Sequence, residues 1–265
     1  MGEPIVFYRN SAGKAVALED RCAHRQAPLS LGTVDGDRLR CGYHGFEFDC
    51  TGACIRVPTQ TQIPPAARVR AYPVRERQGF LHVWMGDPAA ADDSLIYDFP
   101  FASDAAWRVR YAKFHGRFAY RLLVDNLMDL THLPYAHPTT IGAPGVSEQA
   151  VTRVERHGEN VTISRYMENI APAPAQAAAT NYYGNVDRWQ VITFTPPGFI
   201  WLQVGSSRAG TGGRDAAPED KLLDRHTLHV VMPDTDETTS YFWCTANEVG
   251  ALTEAQEDAI YEASL

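Results

Sequence analysis

Two short pairs of metal-binding residue types constrain the fold of this chain more than any other feature. Cys22 and His24 form the first pair, and Cys41 and His44 follow after sixteen intervening residues. Two thiolates and two imidazoles at such spacings are a donor set for a zinc ion or for an iron–sulfur cluster. The chain has five cysteines, an odd number that cannot all pair, so metal binding is favoured over disulfides.

The make-up of each pair favours a cluster. A zinc finger usually pairs Cys with Cys and His with His, whereas each pair here contains one of each. In a Rieske [2Fe–2S] centre two Cys bind one iron and two His bind the other, so two loops that each supply one Cys and one His match it directly. The sequence therefore predicts a [2Fe–2S] cluster bound by Cys22, His24, Cys41 and His44.

Turn signals and hydrophobic runs divide the chain into two domains. Short strand-like runs alternate with Gly, Pro and Asn turns as far as Met85, which predicts a small all-β domain over residues 1–90. An Ala-, Asp- and Pro-rich segment without periodicity predicts a linker over 91–106. Residues 107–265 begin with a strand, continue through a helical stretch over 118–137 and return to strand-like runs.

Three further segments carry structural expectations. Helix formers between Leu252, Ile260 and Leu265 predict a closing helix. The Ala- and Pro-rich segment 171–179 and the Gly-rich segment 205–213 are expected to be loops.

The helical stretch contains a second candidate metal site. Asp125, Asp129 and His132 are four and three residues apart, which places them on one face of a helix. His137 lies about 140° further round an ideal helix than His132, so an unbroken helix cannot bring both imidazoles to one ion. We expect Pro134 to break the helix between them. Two His and one carboxylate would leave open positions on Fe(II).

Together these motifs resemble the Rieske non-haem iron oxygenases, and in particular the oxygenase (alpha) subunits of the vanillate O-demethylase type. The cluster-binding loops of the family look like RCAHRQAPLSLG and LRCGYHGFEFDCTG. Its Asp-x-x-His-x4-His iron motif resembles NLMDLTH followed by four residues and His137. The resemblance covers nearly all of the 265 residues. It implies an α+β chain, in which an N-terminal all-β Rieske domain precedes a helix-grip (START-like) antiparallel-sheet catalytic domain.

The resemblance also implies roles for individual residues. It marks His132 and His137 as ligands of a mononuclear iron, with Asn126 in the same catalytic motif. It implies that Asp129 bridges to the Rieske His44 of a neighbouring subunit in a homotrimer. A carboxylate between two imidazoles would hold their tautomers and orientations.

The third iron ligand is expected outside this sequence. Glu254 and Asp258 are available near its end, but the register of the resemblance places the family's carboxylate a few residues beyond Leu265. Relative to the family, the chain is also expected to lack an N-terminal segment.

The implied function is that of a terminal oxygenase component. Such a protein uses O2 and electrons from an NAD(P)H-dependent flavin or iron–sulfur reductase to monooxygenate a small aromatic substrate. O-demethylation of an aryl methyl ether such as a vanillate-like acid is the leading expectation. Aryl-methyl hydroxylation, ring dihydroxylation and a non-catalytic role in electron transfer or ligand binding stay open. We expect an apolar cavity lined by Trp189, Phe194, Trp201 and Val204, and the candidate substrate contacts are Asn169, Trp189 and His229.

Charge and hydropathy exclude other classes of partner. The formal net charge is −8 and no block of Lys or Arg occurs, so nucleic acid is not expected to bind. No stretch of about 18 apolar residues exists, and the start, MGEPIVFYRN, lacks the features of a signal peptide. We therefore expect a cytoplasmic protein without membrane contact.

Overall fold

The chain folds into two compact units. A computed structural model describes residues 2–262, apart from the side chains of 259 and 260. The units are Met1–Asp98 and Phe99–Leu265, so the division falls inside the segment predicted as a linker. The domain limits given above, 1–90 and 107–265, stay a prediction.

The first unit is built from short antiparallel strands. Its strands are β1 Ile5–Arg9, β2 Ala15–Glu19, β3 Thr33–Asp35, β4 Arg38–Arg40, β5 Glu47–Phe48, β6 Cys54–Arg56, β7 Ala71–Tyr72, β8 Val74–Arg77 and β9 Phe80–Val83. They form a sheet in the order β1-β2-β7, a second sheet in the order β3-β4-β5-β6, and the hairpin β8-β9.

The core of this unit includes both candidate cysteine ligands. Leu18, Leu29 and Phe48 are fully buried, and Cys22 and Cys41 belong to the same hydrophobic cluster. Burial of these apolar side chains is the main term that stabilises the unit. The two thiols are therefore placed by the packing of the core.

The second unit is dominated by one antiparallel sheet of seven strands. Its order is β10-β16-β15-β14-β13-β12-β11, so β11 to β16 are consecutive neighbours and β10 closes against β16. The strands are β10 Trp107–Gly116, β11 Val151–His157, β12 Asn160–Ile170, β13 Val186–Thr195, β14 Phe199–Arg208, β15 Lys221–Pro233 and β16 Thr239–Glu248. Each contains one of the strand-like runs recognised in the sequence.

Helices and turns pack on one face of this sheet, which we term the covered face and define by Ile163, Ile192 and Ile200. Leu130 and Leu133, from the segment after the first helix, pack against Ile192 and Ile200. Because side chains alternate along a strand and cross-strand partners share a face, the register also assigns Arg165, Arg188, Gln190 and His229 to the covered face.

Four short α-helices complete the described part of the unit. They are α1 Tyr120–Met128, α2 Leu133–Ala136, α3 Pro174–Thr180 and α4 Glu254–Glu262. Over the residues described, no helix is both long enough and apolar enough to cross a membrane. Helix α4 confirms the predicted closing helix, although Leu265 and the side chain of Ile260 lie outside the described part of the chain.

The helical stretch breaks earlier than predicted. Helix α1 ends at Met128, Asp129 is extended with φ −101° and ψ 99°, and Leu130–His132 form a 3-10 turn. Asp129 breaks the helix because its carboxylate caps that turn, accepting from the backbone N–H of Thr131 at 2.9 Å. Pro134 lies in the first turn of α2, where its missing N–H costs little. The predicted common helical face of Asp125, Asp129 and His132 was therefore wrong.

The loop predicted over 171–179 was also wrong. Most of that segment belongs to α3, which begins at Pro174 and ends before Asn181 in the left-handed conformation. Proline in the first turn and Asn after the last are helix-end signals, and alanines lie between them. The segment 205–213 was likewise only partly a loop, since β14 continues to Arg208.

Candidate metal centres

The four cluster-ligand candidates meet as two pairs in the first unit. Cys22 and Cys41 are buried, and the Cys41 thiol is close enough to raise the pKa of Cys22. His24 and His44 are exposed, and their ring centroids are 4.7 Å apart in an edge-on arrangement. The sulfur donors thus lie inside the protein and the imidazole donors lie at its surface.

The two loops share one backbone geometry. In each loop the cysteine N–H donates to the carbonyl five residues ahead, at 2.9 Å for Cys22 and 2.8 Å for Cys41. Each cysteine carbonyl accepts from the N–H four residues ahead, which belongs to Gln26 in the first loop and Gly45 in the second. Gln26 and Gly45 both have positive φ, +56° and +70°. Both loops are therefore the same turn, although His24 and His44 occupy different positions within it.

Two glycines allow the loops and the strands beside them to approach closely. A Cβ on Gly32 would lie 2.1 Å from the carbonyl oxygen of Arg40, and one on Gly42 would lie 2.9 Å from that of Leu31. Real Cβ atoms do not make such contacts, so both positions require glycine. The resulting close contact brings the loop with Cys22 and His24 next to the loop with Cys41 and His44.

The environment of Cys22 suits metal binding. Burial raises the pKa of its thiol to about 11, while backbone N–H groups of His24 and Arg25 act in the opposite direction by hydrogen bonding to the sulfur. Metal binding requires the thiolate, so a metal replaces protons that this buried pair otherwise retains. His24 is held by stacking on Phe46, with centroids 4.8 Å apart. The buried thiols and the paired imidazoles fit the two ends of a [2Fe–2S] cluster.

His132 and His137 also come together. Their ring centroids are 5.5 Å apart, because the 3-10 turn and α2 replace the continuous helix. The Nδ1 of His132 lies 2.5 Å from the carbonyl oxygen of Asp129. When Nδ1 donates to this carbonyl, Nε2 is left as the atom that binds a metal. The pair fits two positions of a two-His, one-carboxylate iron site.

A complete triad is not assembled in the described residues. Over residues 2–262, no group of three or more His, Cys, Asp and Glu side chains converges as a site for one ion. The carboxylate predicted beyond Leu265 lies outside the described residues.

The candidate bridging residue, Asp129, is an exposed carboxylate. Its Oδ1 accepts from the backbone N–H and from the hydroxyl of Thr131, the latter at 2.6 Å. These bonds, together with the nearby charge of Arg165, hold the pKa of Asp129 below its usual range. Asn126 is exposed in the last turn of α1.

Sequence reasoning missed the residue that holds this segment to the sheet. Arg165 on β12 is only 2% exposed. Its Nη1 donates to the Leu130 carbonyl at 2.6 Å, and its Nη2 donates to the Val146 carbonyl at 2.9 Å. Arg165 therefore ties down the chain on both sides of the His132–His137 segment. The one signal for it was a charged residue within the β-run VTISRYM, whose partner the sequence does not specify.

His229 is the predicted substrate contact that lies on the covered face. It is buried, and its Nδ1 is 2.5 Å from the hydroxyl of Tyr241. Burial lowers its pKa to about 4, so the ring is neutral at pH 7. Its Nε2 has no hydrogen-bond partner among the described residues.

The other two predicted contacts lie elsewhere. Trp189 is 0% exposed and sits on the opposite face of the sheet, where a Cβ on Gly205 would be 2.0 Å from its ring. Asn169 is exposed at a bulge in β12 with φ +52°, and its Oδ1 accepts from the side chain of Asn185 at 2.9 Å. The structure does not bring these three residues together.

The expected apolar lining was wrong. Strand alternation places Phe194 and Val204 on the covered face but Trp189 and Trp201 on the opposite one. The covered face instead carries several buried polar side chains, namely those of Arg165, Arg188, Gln190, Thr227, His229, Thr245 and Asn247.

These features define a class of protein. An all-β unit with paired Cys/His loops, followed by a seven-stranded antiparallel sheet that carries a paired-His segment, is the architecture of a Rieske non-haem iron oxygenase. Residues 1–73 match the Rieske [2Fe-2S] domain, and residues 117–264 match the vanillate O-demethylase oxygenase C-terminal domain. The chain belongs to this oxygenase family, which confirms the predicted fold, enzyme class and cofactors.

Individual relatives agree with this assignment. The chain is 42% identical to the vanillate O-demethylase oxygenase subunit of Pseudomonas sp. (strain ATCC 19151), over 91% of this chain and 74% of the relative. It is 37% identical to the toluene-4-sulfonate monooxygenase system iron-sulfur subunit of Comamonas testosteroni, over 99% of this chain and 76% of the relative. The crystal structure of dicamba monooxygenase bound to dicamba superposes with a TM-score of 0.87 at 30% identity, covering 98% of this chain and 74% of that one. Such oxygenase components work with a reductase.

Proposed function

We propose that this protein is the terminal oxygenase of a two-component monooxygenase that O-demethylates an aryl methyl ether of the vanillate-like acid type. The observation that carries the proposal is the presence of both ligand sets in a chain that matches the vanillate O-demethylase oxygenase domain over residues 117–264. The overall reaction consumes the ether, O2, two electrons and two protons, and yields the phenol, formaldehyde and water.

The ligand assignments follow from the two pairings. Cys22 and Cys41 would hold one iron of the cluster, and His24 and His44 the other. His132 would bind the mononuclear iron through Nε2 and His137 through a ring nitrogen, as two ligands of a two-His, one-carboxylate site. When bound, the cluster supplies one-electron transfer at roughly −150 to +300 mV, and the mononuclear iron supplies open positions for O2.

The exposed imidazoles favour electron transfer through the His side of the cluster. Asp129 is exposed and ionised, so it can accept an N–H from the partner subunit's His44 in a homotrimer while its backbone carbonyl holds His132. A carboxylate in this position orients both imidazoles. We further propose an NAD(P)H-dependent flavin or iron–sulfur reductase as the electron donor.

The geometry supports His229 as a substrate contact more than Asn169 or Trp189. Its neutral ring lies on the covered face and keeps Nε2 available, while Tyr241 holds Nδ1. We also propose that the protein acts in the cytoplasm, since all five cysteines are free and a reducing compartment keeps thiols so.

A second candidate function, hydroxylation of an aryl methyl group, is favoured by one observation. The relative that is 37% identical is named for toluene-4-sulfonate, a compound that has an aryl methyl group but no methyl ether. The same machinery would insert one oxygen atom into that methyl group.

One substrate panel separates the candidates. Full-length protein is incubated with a surrogate reductase, NADH and matched aryl methyl ethers, aryl methyl compounds and unsubstituted arenes. We expect one formaldehyde per ether consumed. Benzylic alcohols alone would establish methyl hydroxylation, and cis-diols alone would refute the monooxygenase branch. A rhombic Rieske signal without any product would indicate electron transfer or ligand binding, and zinc without labile sulfide would refute the cluster assignment.

A further inference from the structure

Two buried arginines lie side by side on the covered face. Strand β12 carries Arg165 and strand β13 carries Arg188, and the register pairs Arg165 with Gln190 and Met167 with Arg188. Arg165 and Arg188 are therefore diagonal neighbours on one face. They are 2% and 4% exposed.

Neither guanidinium has a carboxylate as its partner. Among the described residues, no Asp or Glu oxygen lies within ion-pair distance of Arg165 or Arg188. Arg188 donates from Nη2 to the Ile141 carbonyl at 3.0 Å, and its Nε and Nη1 have no partner within residues 2–262. The Nε of Arg165 likewise has none in this part of the chain. A buried charge normally has an ionic partner and a full set of hydrogen bonds, so these donors need an acceptor.

The two charges also act on each other. Burial, followed by the nearby charge of Arg165, lowers the pKa of Arg188 to about 10, which leaves it protonated at pH 7. Arg108 on β10 provides a contrast, because it forms an ion pair with Glu257 at 2.9 Å. The negative charge of Asp129 acts on Arg165 against the effect of burial, whereas the charge that acts on Arg188 is the positive charge of Arg165.

The pair also touches the segment that carries the iron ligands. Arg165 donates to Leu130, two residues before His132, and Arg188 donates to Ile141, four residues after His137. An anion bound by the pair would therefore lie against the same segment as the two imidazoles.

We propose that Arg188, with Arg165 beside it, binds the anionic group, a carboxylate or sulfonate, of the aromatic substrate. The inference rests on the proposed oxygenase function and names the side chains that recognise the acid group of its substrate. Planar guanidinium groups suit such oxygens, and an acid supplies both the missing acceptors and the missing negative charge. The neutral amide of the same acid supplies neither the charge nor an equivalent set of acceptors.

Binding measurements test the proposal without requiring turnover. The affinity of the full-length protein is measured anaerobically by calorimetry for a methoxybenzoic acid and for its primary carboxamide. We expect wild-type protein to bind the acid about 100-fold more tightly, and Arg188→Met to weaken the acid about 30-fold but the amide less than about 3-fold. Arg188→Lys should recover part of the loss, because it keeps the charge.

Arg108→Met is the matched control, since Arg108 lies on the same face and forms an ion pair with Glu257 at 2.9 Å. It should change the affinities for acid and amide by the same factor. Equal losses of both ligands in Arg188→Met, or a wild-type protein that binds acid and amide equally, would overturn the proposal and leave the arginines as structural clamps. If Arg188→Met does not fold, wild type and Arg188→Lys still decide the question. Retained acid selectivity without any formaldehyde would refute O-demethylation but not the anion site.

Discussion

The two metal-ligand sets are held in different ways. Each cluster loop is closed by hydrogen bonds between backbone atoms four and five residues apart, and the two loops repeat one turn. The His132–His137 segment instead depends on Arg165, which reaches Leu130 across 35 residues of sequence. A site held by short-range hydrogen bonds can therefore be predicted from the spacing of its residues, whereas a site held from a distant strand cannot.

The largest effect is expected at Asp129. The question is whether its negative charge is needed for turnover, or whether the residue only caps the 3-10 turn Leu130–His132. Asn at this position still accepts from the Thr131 N–H but cannot carry the negative charge. We therefore expect Asp129→Asn to bind both metals and to lose turnover about 100-fold. The measurements are steady-state turnover, total iron and labile sulfide.

Asp125→Asn, an exposed change one turn earlier in α1, is the matched control and should keep its turnover. Normal activity in Asp129→Asn with both metals present would show that the cap alone matters.

The second prediction tests whether Arg165 supports the His132–His137 segment from the distant strand β12. Arg165→Met removes the donors to Leu130 and Val146, so mononuclear iron affinity should fall about 10-fold or more. The absorption of the cluster should stay unchanged, because its ligands belong to the other unit. Arg165→Lys should recover part of the iron, and Arg153→Met, on the exposed strand β11, should retain it. The measure is the ratio of iron to labile sulfide, and a wild-type ratio in Arg165→Met contradicts the prediction.

The third prediction concerns the support beneath the second cluster loop. Glu47 is 1% exposed and accepts from Arg56 at 2.7 Å and Arg40 at 3.0 Å. These arginines lower its pKa, so its contribution to stability is present above its ordinary pKa and is lost as the pH falls through the lowered one. We expect Glu47→Gln to cost about 1–2 kcal/mol at pH 7 and progressively less below pH 4.5.

Urea unfolding, followed by circular dichroism at pH 7 and below pH 4.5, measures the difference in unfolding free energy between wild type and Glu47→Gln. Glu76→Gln removes an exposed pair with Arg9 at 2.7 Å and is the control, with an expected cost smaller than that of Glu47→Gln. Equal costs for the two variants at pH 7 would show that burial of Glu47 adds nothing.

The smallest expected effect probes the repeated turn itself. Because Gln26 has the positive φ that glycine adopts freely, Gln26→Gly should change stability by less than about 1 kcal/mol and leave the cluster intact. Gly45→Ala should destabilise by about 1–2 kcal/mol, since a Cβ there would also lie 3.2 Å from Pro58. Thermal unfolding compares the two, and a larger loss in Gln26→Gly would mean that the Gln26 side chain, not the turn, supports the loop.

Much of the architecture could be predicted from the sequence because it depends on local patterns. The seven strands of the second unit follow runs of hydrophobic and β-branched residues, and the helix α4 follows its helix formers. The break in the helix at Asp129 was not predicted. The Asp129 carboxylate caps the turn by accepting from the Thr131 N–H, and this bond competes with the helix. The spacing of Asp125 and His132 does not reveal it.

The cluster ligands could be predicted from the residues alone, since the Cys/His spacing and the glycines of each loop are local properties. The side chains that share the covered face could not, because they depend on how the strands pair. Side chains alternate along a strand, so a shift of one residue in β13 would exchange Trp189 for Arg188. The register is set by packing across the whole sheet. For this reason His229 and the two buried arginines lie on the same face of the sheet as the His132–His137 segment, and Trp189 lies on the other.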